Sequence, residues 1–363
     1  MLCRWESLGW DEFFSLTKNR RLVLWGAGER CRKILPYMKR KFGNLMIVDR
    51  NKSGQYIDNV LIEPPELLRD LDDVAVLACG RFADQIRMEL LQINERIPCY
   101  SEFWIEHKDY IEKYSRLQPN IDPLRVKNIC SLMEDDESKL IINSIAEKRL
   151  NGIADYGDIM TDVGYFPRDL FEIDNNEVFV DCGAFNGDTI REFVDNVGDF
   201  KRIIAYEADP NNCEIIKQDL VYCLNKDKID LYNLAVSDTD KEVCFNSGIG
   251  ASSYMSNLDD SSFAPGDVVQ KPISIRAVSL DEHIKSEHPT FIKMDIEGSE
   301  LEALRGAQKT IEKYHPKLAI CIYHKENDFL DIPELIHEFV PEYKLYVRHQ
   351  GVLYFDTVLF AKV

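Results

Sequence analysis

The chain has 363 residues, room for two domains at roughly 100–200 residues each, and 45% of them are apolar, which excludes a disordered chain. Its 63 acidic and 44 basic residues leave a formal net charge of −19. There is no dense Lys/Arg stripe, so nucleic acid is not expected as a partner. No apolar run approaches the ~18 residues of a membrane span. The first residues lack the basic-then-apolar layout of a secretory leader. Ten cysteines include no CxxC pair and several sit inside apolar runs, so small buried thiols in a cytoplasmic chain are expected. A homo-oligomer is compatible with all of this.

In chain order, the apolar run Arg21–Trp25 precedes Gly26-Ala27-Gly28, a helical pattern with Ile34, Leu35 and Met38 on one face, and a strand ending at Asp49. A second strand over 74–78 and a helix over 82–92 follow. Strand–helix alternation predicts a parallel sheet, here a small Rossmann-like domain over 1–105. Residues 106–170 are charged and read as a helical connector, with one amphipathic helix over 132–150. The acid run Glu134-Asp135-Asp136-Glu137 reads as a solvated helix start that favours the helix dipole.

From 171 to 363 the alternation returns. Strands are expected over 177–181, 202–206, 229–236, 290–294, 317–323, 343–348 and 356–362, with helices over 211–224 and 299–313 and a β-rich insertion over 240–276. The fold class is α/β: an N-terminal Rossmann-like domain, then a class I methyltransferase fold with a seven-stranded, mostly parallel sheet whose last strand is antiparallel.

The chemistry sits at strand ends, where open α/β sheets bind ligands. Val178-Phe179-Val180-Asp181-Cys182-Gly183-Ala184-Phe185-Asn186-Gly187-Asp188-Thr189 is an apolar strand ending in an acid, with two glycines four apart opening a helix. The glycines allow a ligand close to the backbone. An acid before the first glycine repels a pyrophosphate but suits a ligand with an ammonium and a sulfonium, as in S-adenosylmethionine. An ordinary tight turn is the alternative. Glu207 ends the next strand, 20 residues after Gly187, where it can accept both ribose hydroxyls. Asp209-Pro210 is expected to cap the following helix and leave Glu207 free. Leu234-Ala235-Val236-Ser237-Asp238 places Ala235 and Asp238 beside an adenine, or else opens a hairpin.

Phe291-Ile292-Lys293-Met294-Asp295-Ile296-Glu297-Gly298-Ser299-Glu300 ends the fourth strand in three carboxylates. They can act as base, bind the acceptor or hold a metal. His324 and His349 follow the next strand ends, and a histidine is a natural proton acceptor near neutral pH. A structural role is open to each, and His324 ranks ahead.

These blocks, with Tyr165-Phe166-Pro167 before them and a closing Arg348-His349 and Thr357-Val358-Leu359-Phe360-Ala361, resemble the FkbM family of S-adenosylmethionine-dependent O-methyltransferases over about 165–363. The resemblance implies methyl transfer to a hydroxyl of a sugar, glycan or related natural product. It implies S-adenosylmethionine held by Asp181, Gly183, Ala184, Gly187, Thr189, Glu207, Ala235, Asp238 and Asp295, and chemistry at Asp295, Glu297 and His324. Asp295 or His324 is expected to take the proton. A metal-free route is expected, because no further acid/His cluster shows clear ligand spacing. The loop Ser247–Asp267 and the connector near Tyr165 are expected to shape the pocket for a small-molecule or glycan acceptor.

The N-terminal GxGxxC segment, with Asp49 21 residues after Gly28, is similar to the Rossmann-like domain of acyltransferases acting on nucleotide-linked sugars. That resemblance offers Gly26, Gly28 and Asp49 as a second ligand site, or a scaffold without one. Two rival readings are an NAD- or nucleotide-sugar-binding epimerase or dehydrogenase and a non-catalytic binding protein with a retired methyltransferase fold.

Overall fold

The structure, a computed structural model, describes residues 8–80, 83–106, 119–161, 163–220, 225–246, 254–256, 273–284 and 286–363. The chain divides into two compact units, Met1–Gln118 with Asn151–Gly157, and Pro119–Leu150 with Asp158–Val363. The stretch read as a connector over 106–170 does not stand apart, since its helices over 119–150 count with the second unit. Among the described residues no helix is long and apolar enough to cross a membrane.

The first unit contains α1 (Trp10–Thr17), β1 (Arg21–Trp25), α2 (Glu29–Phe42), β2 (Met46–Val48), β3 (Tyr56–Ile57), β4 (Val60–Glu63), β5 (Val74–Ala78), α3 (Ala83–Asn94), β6 (Cys99–Ser101) and α4 (Glu102–Glu106). Its six-stranded sheet runs β3-β4-β2-β1-β5-β6. All pairings are parallel except the β3–β4 hairpin. That hairpin was not evident in the apolar pattern. It turns on Asp58 and Asn59, both at positive φ, the two-residue geometry that matches strand twist. Helix α2 buries Cys31, Leu35 and Met38, the 3–4 spacing of one helical face.

The second unit begins with α5 (Pro123–Leu132), whose Asp122 side chain accepts the Leu124 N–H at 2.9 Å, and α6 (Asp136–Leu150). The acid run before α6 does more than face water. Asp135 accepts the Ser138 N–H at 2.8 Å and pairs with the buried Arg348 at 2.7 Å, and Glu137 reaches the same guanidinium at 3.2 Å. Burial raises the Asp135 carboxyl, but Arg348 and Ser138 outweigh it and hold it below its ordinary range.

Next come β7 (Val178–Cys182), α7 (Asp188–Val197), β8 (Arg202–Tyr206), α8 (Pro210–Leu220), β9 (Ile229–Tyr232), β10 (Ala235–Val236), β11 (Lys241–Asn246), β12 (Tyr254–Ser256), β13 (Ile273–Val278) and α9 (Leu280–His283). The unit closes with β14 (Phe291–Met294), α10 (Glu300–Arg305), α11 (Gln308–Tyr314), β15 (Lys317–Cys321), α12 (Asp328–Phe339), β16 (Lys344–His349) and β17 (Thr357–Lys362). The seven-stranded sheet has the order β16-β17-β15-β14-β7-β8-β9. Only β17 runs antiparallel to its neighbours, so the carboxyl ends of β7, β8, β14 and β15 share one edge.

The central strands are continuous apolar runs because helices cover both faces of such a sheet. An aromatic core formed by Phe166, Phe171, Phe179, Phe193, Phe291 and Phe360 packs against it. Phe179 and Phe193 stack with ring centres 4.7 Å apart. Such a pair adds about 0.5–1.5 kcal/mol beyond its burial.

Two expected elements are divided. The strand read over 229–236 breaks after Tyr232, and β10 leaves to join a separate four-stranded sheet, β10-β13-β11-β12. The helix read over 299–313 breaks at Gly306, whose carbonyl accepts from Asp281 N at 2.8 Å and Ser279 Oγ at 3.1 Å. A Cβ on Gly306 would run into the Ser237 carbonyl oxygen and sit 3.0 Å from Asp238 Cα. Gly306→Ala therefore requires a backbone shift. It is expected to lower stability by about 1–3 kcal/mol, read as a lower urea midpoint with an unchanged slope.

His349 ends β16 fully buried, with Nδ1 2.7 Å from Thr357 Oγ1. Burial is the leading cause that holds its imidazole down at about 4. The unfolded chain takes up this proton near pH 6.5, so the neutral histidine contributes stability above that pH that is lost as pH falls toward 4. The stability gap between wild type and His349→Gln should be about 2 kcal/mol narrower at pH 5 than at pH 7. A gap independent of pH in urea titrations would contradict this.

Candidate functional site

The pairing of β14 with β7 sets Lys293 opposite Asp181. Both side chains are buried, with Lys293 Nζ 3.1 Å from Asp181 Oδ1. The same ammonium donates to the Gly183 carbonyl at 2.7 Å and lies 5.1 Å from the centre of the Tyr165 ring. Apart from this ion pair with Lys293, Asp181 accepts no hydrogen bond. Burial raises its carboxyl against the pull of Lys293, while Asp181 and Asp295 keep the lysine charged despite its burial.

The strand-end turn is forced by packing within the chain. Gly183 has φ +85°, and a Cβ there would run into the Asp295 carbonyl. Gly187, at φ +83°, is the N-cap of α7 and would press a Cβ to 3.3 Å from Ile216. Both glycines are thus required by the chain's own backbone before any ligand is considered. Ala184 is buried in the same turn and Thr189 in the first turn of α7.

Glu207 is not free, contrary to expectation. It is buried, with Oε2 accepting the Phe185 N–H at 2.8 Å and Oε1 accepting the Asp209 N–H at 2.7 Å. It ties the loop after β7 to the loop after β8, and burial raises its carboxyl against those donors. Asp209 does form the expected cap-like turn, accepting from Asn211 N at 2.8 Å. Ala235 is buried in β10. Asp238 is held by Lys241 at 2.7 Å, which keeps its carboxyl below the ordinary range.

The ends of β14 and β15 bring Asp295, Glu297 and His324 together. His324 Nε2 lies 3.4 Å from Asp295 Oδ1 and 3.6 Å from Glu297 Oε2, and Nδ1 lies 3.0 Å from Glu300 Oε1. The side chains of Asp295 and Glu297 keep 26% and 35% of their surface exposed, against 7% for His324, so the carboxylates open outward from a buried imidazole. Tyr165 donates to Asp295 Oδ2 at 2.8 Å and Tyr323 to Oδ1 at 3.3 Å. The Tyr323 ring also packs on His324, centres 4.0 Å apart. Glu297 has φ +54°, a left-handed turn that a non-glycine residue rarely adopts. Glu300 Oε1 accepts the Ile296 N–H at 2.9 Å, pinning that turn.

Electrostatics separate these groups. Burial pushes Asp295 up, but Lys293, His324 and the Tyr165 hydroxyl hold it below its usual range. Burial and the neighbouring carboxylates lift Glu297 to about 7 against His324. Burial opposes the charge on His324, yet Glu300, Asp295 and Glu297 raise it to about 10. Burial and Asp295 place both tyrosine hydroxyls well above their normal value.

Lys293 and Tyr323 were not singled out from the sequence, and Glu300 was read only as one of the three carboxylates ending the fourth strand. A lysine inside the apolar strand Phe291–Met294 was the available signal, since a buried charge requires a partner. His349, the second candidate histidine, sits with Thr357 rather than with the carboxylates. In the first unit, Asp49 Oδ2 accepts the Ala27 N–H at 2.7 Å and Oδ1 those of Asn51 and Lys52 at 2.9 and 3.1 Å. The acid thus pins its own glycine loop. Gly26, at φ +104°, abuts the Cys79 carbonyl, whereas Gly28 faces open space. The Ser247–Asp267 loop lies outside the described residues apart from β12.

Residues 181–350 match the methyltransferase FkbM domain family. The chain is similar to a crystal structure of methyltransferase FkbM from Methylobacillus flagellatus KT, with 21% identity, a TM-score of 0.56, and 96% of this chain and 92% of that one covered. A precorrin-6y C5,15-methyltransferase from Geobacter metallireducens GS-15 aligns with 52% of this chain and 80% of its own, at 14% identity and a TM-score of 0.31. An rRNA methylase from Streptococcus thermophilus aligns with 52% of this chain and 88% of its own, also at 14% and 0.31. These last two likenesses say nothing about substrate. No curated protein matches. The family match spans the strand ends described above, so this part of the chain carries a methyltransferase FkbM domain, and the fold is shared along nearly the whole chain.

Proposed function

We propose that the protein transfers a methyl group from S-adenosylmethionine to a hydroxyl of a sugar, glycan or related natural product. The observation that carries this reading is the convergence of Asp295, Glu297 and His324 at the sheet edge beside the Gly183 turn. The cofactor supplies an electrophilic methyl group on a sulfonium. The residues present fit it: with the Lys293 ammonium on Asp181 Oδ1, the buried Oδ2 is left without a hydrogen-bond donor, which suits a ligand ammonium. Around it, Gly183, Ala184 and Gly187 form the turn, and Thr189 the first turn of α7, that would hold the same ligand, with Glu207, Ala235 and Asp238 toward its nucleoside.

The chain's own groups set the rest. Tyr165 and Tyr323 donate to Asp295 and fix its orientation. An acceptor hydroxyl placed against Asp295 and Glu297 meets carboxylates that can accept its proton. Holding the acceptor in line is a positioning task, and the left-handed turn at Glu297 aims that side chain.

Calorimetric titration with S-adenosylmethionine and S-adenosylhomocysteine tests the cofactor. Asp181→Asn and Glu207→Gln are expected to weaken binding about 10- to 100-fold, roughly 1.4–2.7 kcal/mol. Asp295→Asn is expected to retain most of the affinity and to lose about 10²–10⁴-fold in methyl incorporation into hydroxyl acceptors. Absence of binding by the intact protein would overturn the reading. Transfer confined to nitrogen or carbon acceptors would overturn the hydroxyl assignment.

A further inference from the structure

Asp295, Glu300 and His324 each offer one ligand atom, and the three atoms lie within 4.8 Å of one another. Both ring nitrogens of His324 and Oε2 of Glu300 are buried and make no hydrogen bond. Their side chains are 7% and 1% exposed, so water does not satisfy them from outside. Three carboxylates, counting Glu297, surround the imidazole, and the nearby Lys293 is committed to Asp181 and the Gly183 carbonyl. Without a metal the imidazole proton is what joins these buried carboxylates, and a divalent ion would take its place on one ring nitrogen and release that proton.

We propose that Asp295, Glu300 and His324 bind a divalent cation, with Glu297 at the rim of the same site. Ligands about 2.1–2.4 Å from an octahedral ion stand roughly 3.0–3.4 Å apart when adjacent and 4.2–4.8 Å when opposite. With one atom from each residue, the three candidate ligand atoms lie within 4.8 Å of one another, inside that span. One imidazole and carboxylates suit a first-row ion such as Mn²⁺. Three protein ligands leave up to three positions of an octahedron, of which the exposed side of Asp295 and Glu297 faces outward. There an oxygen of the acceptor can be polarised. The inference deepens the reading above and rests on it for this catalytic consequence alone, since the binding of the ion is independent of it.

The test is Mn²⁺ titration of chelator-treated, desalted protein, followed by calorimetry and by loss of the free-ion paramagnetic resonance signal. One ion per chain is expected. His324→Ala and Glu300→Gln are each expected to weaken it at least 10-fold, with Glu312→Gln unchanged as a surface control and thermal unfolding confirming that each variant is folded. Failure of the intact protein to bind Mn²⁺ at millimolar concentration would overturn the proposal. So would binding that is the same in His324→Ala, which would mark diffuse attraction to an acidic surface. S-adenosylmethionine affinity measured in parallel separates the two ideas. Cofactor binding without Mn²⁺ defeats the cation site alone, whereas Mn²⁺ binding without cofactor binding defeats the methyl-transfer reading alone.

Discussion

Lys293 and Asp181 face each other across the pairing of β7 with β14, and the site is built around that contact. A charge buried on a central strand is tolerated only with a partner, and removing one member of such a pair costs about 3–5 kcal/mol. The pair therefore pins the register of the two strands whose ends carry the site. It also brings the Lys293 ammonium to the Gly183 carbonyl. The turn after β7 is thus held by a charge from β14, and the backbone of Asp295 closes on Gly183 from the same strand.

A second set of ties extends from this centre. Glu207 joins the loops after β7 and β8 through two backbone N–H groups. Glu300 accepts from Ile296 and faces His324, which links the turn after β14 to the end of β15. The candidate site is consequently held by carboxylates acting on backbone donors, interactions stronger than neutral hydrogen bonds. The two tyrosines that donate to Asp295 come from a loop ahead of β7 and from the end of β15, so its orientation depends on segments far apart in the chain.

Motifs that look alike in sequence behave differently once folded. Gly26, Gly28 and Asp49 repeat, in the first unit, the glycine-turn-then-acid arrangement of Gly183, Gly187 and Glu207. In both units the acid accepts backbone N–H groups from the glycine-bearing turn. An acid at the end of the second strand therefore has a structural duty in each case, and its presence alone does not mark a ligand. What distinguishes the second unit is the cluster of carboxylates and imidazole at neighbouring strand ends.

The strands and their order were legible in the sequence because each central strand is a short apolar run and each break is a glycine, a proline or a charge. The family resemblance was legible because its blocks are local and ordered along the chain. Four things were not. The hairpin at Asp58-Asn59 is too short for its pattern to stand out, and the breaks after Tyr232 and at Gly306 follow from packing against distant backbone. The engagement of Glu207, Asp49 and Arg348 depends on partners that reading along the chain does not bring together. The meeting of Asp295 and Glu300 with His324 arises because adjacent parallel strands end at one edge. Local pattern and chemical type are properties of consecutive residues, so sequence alone determines them. Which carboxylate is free, which is tied and which faces a histidine are matters of distance between strand ends, and only the tertiary structure decides them.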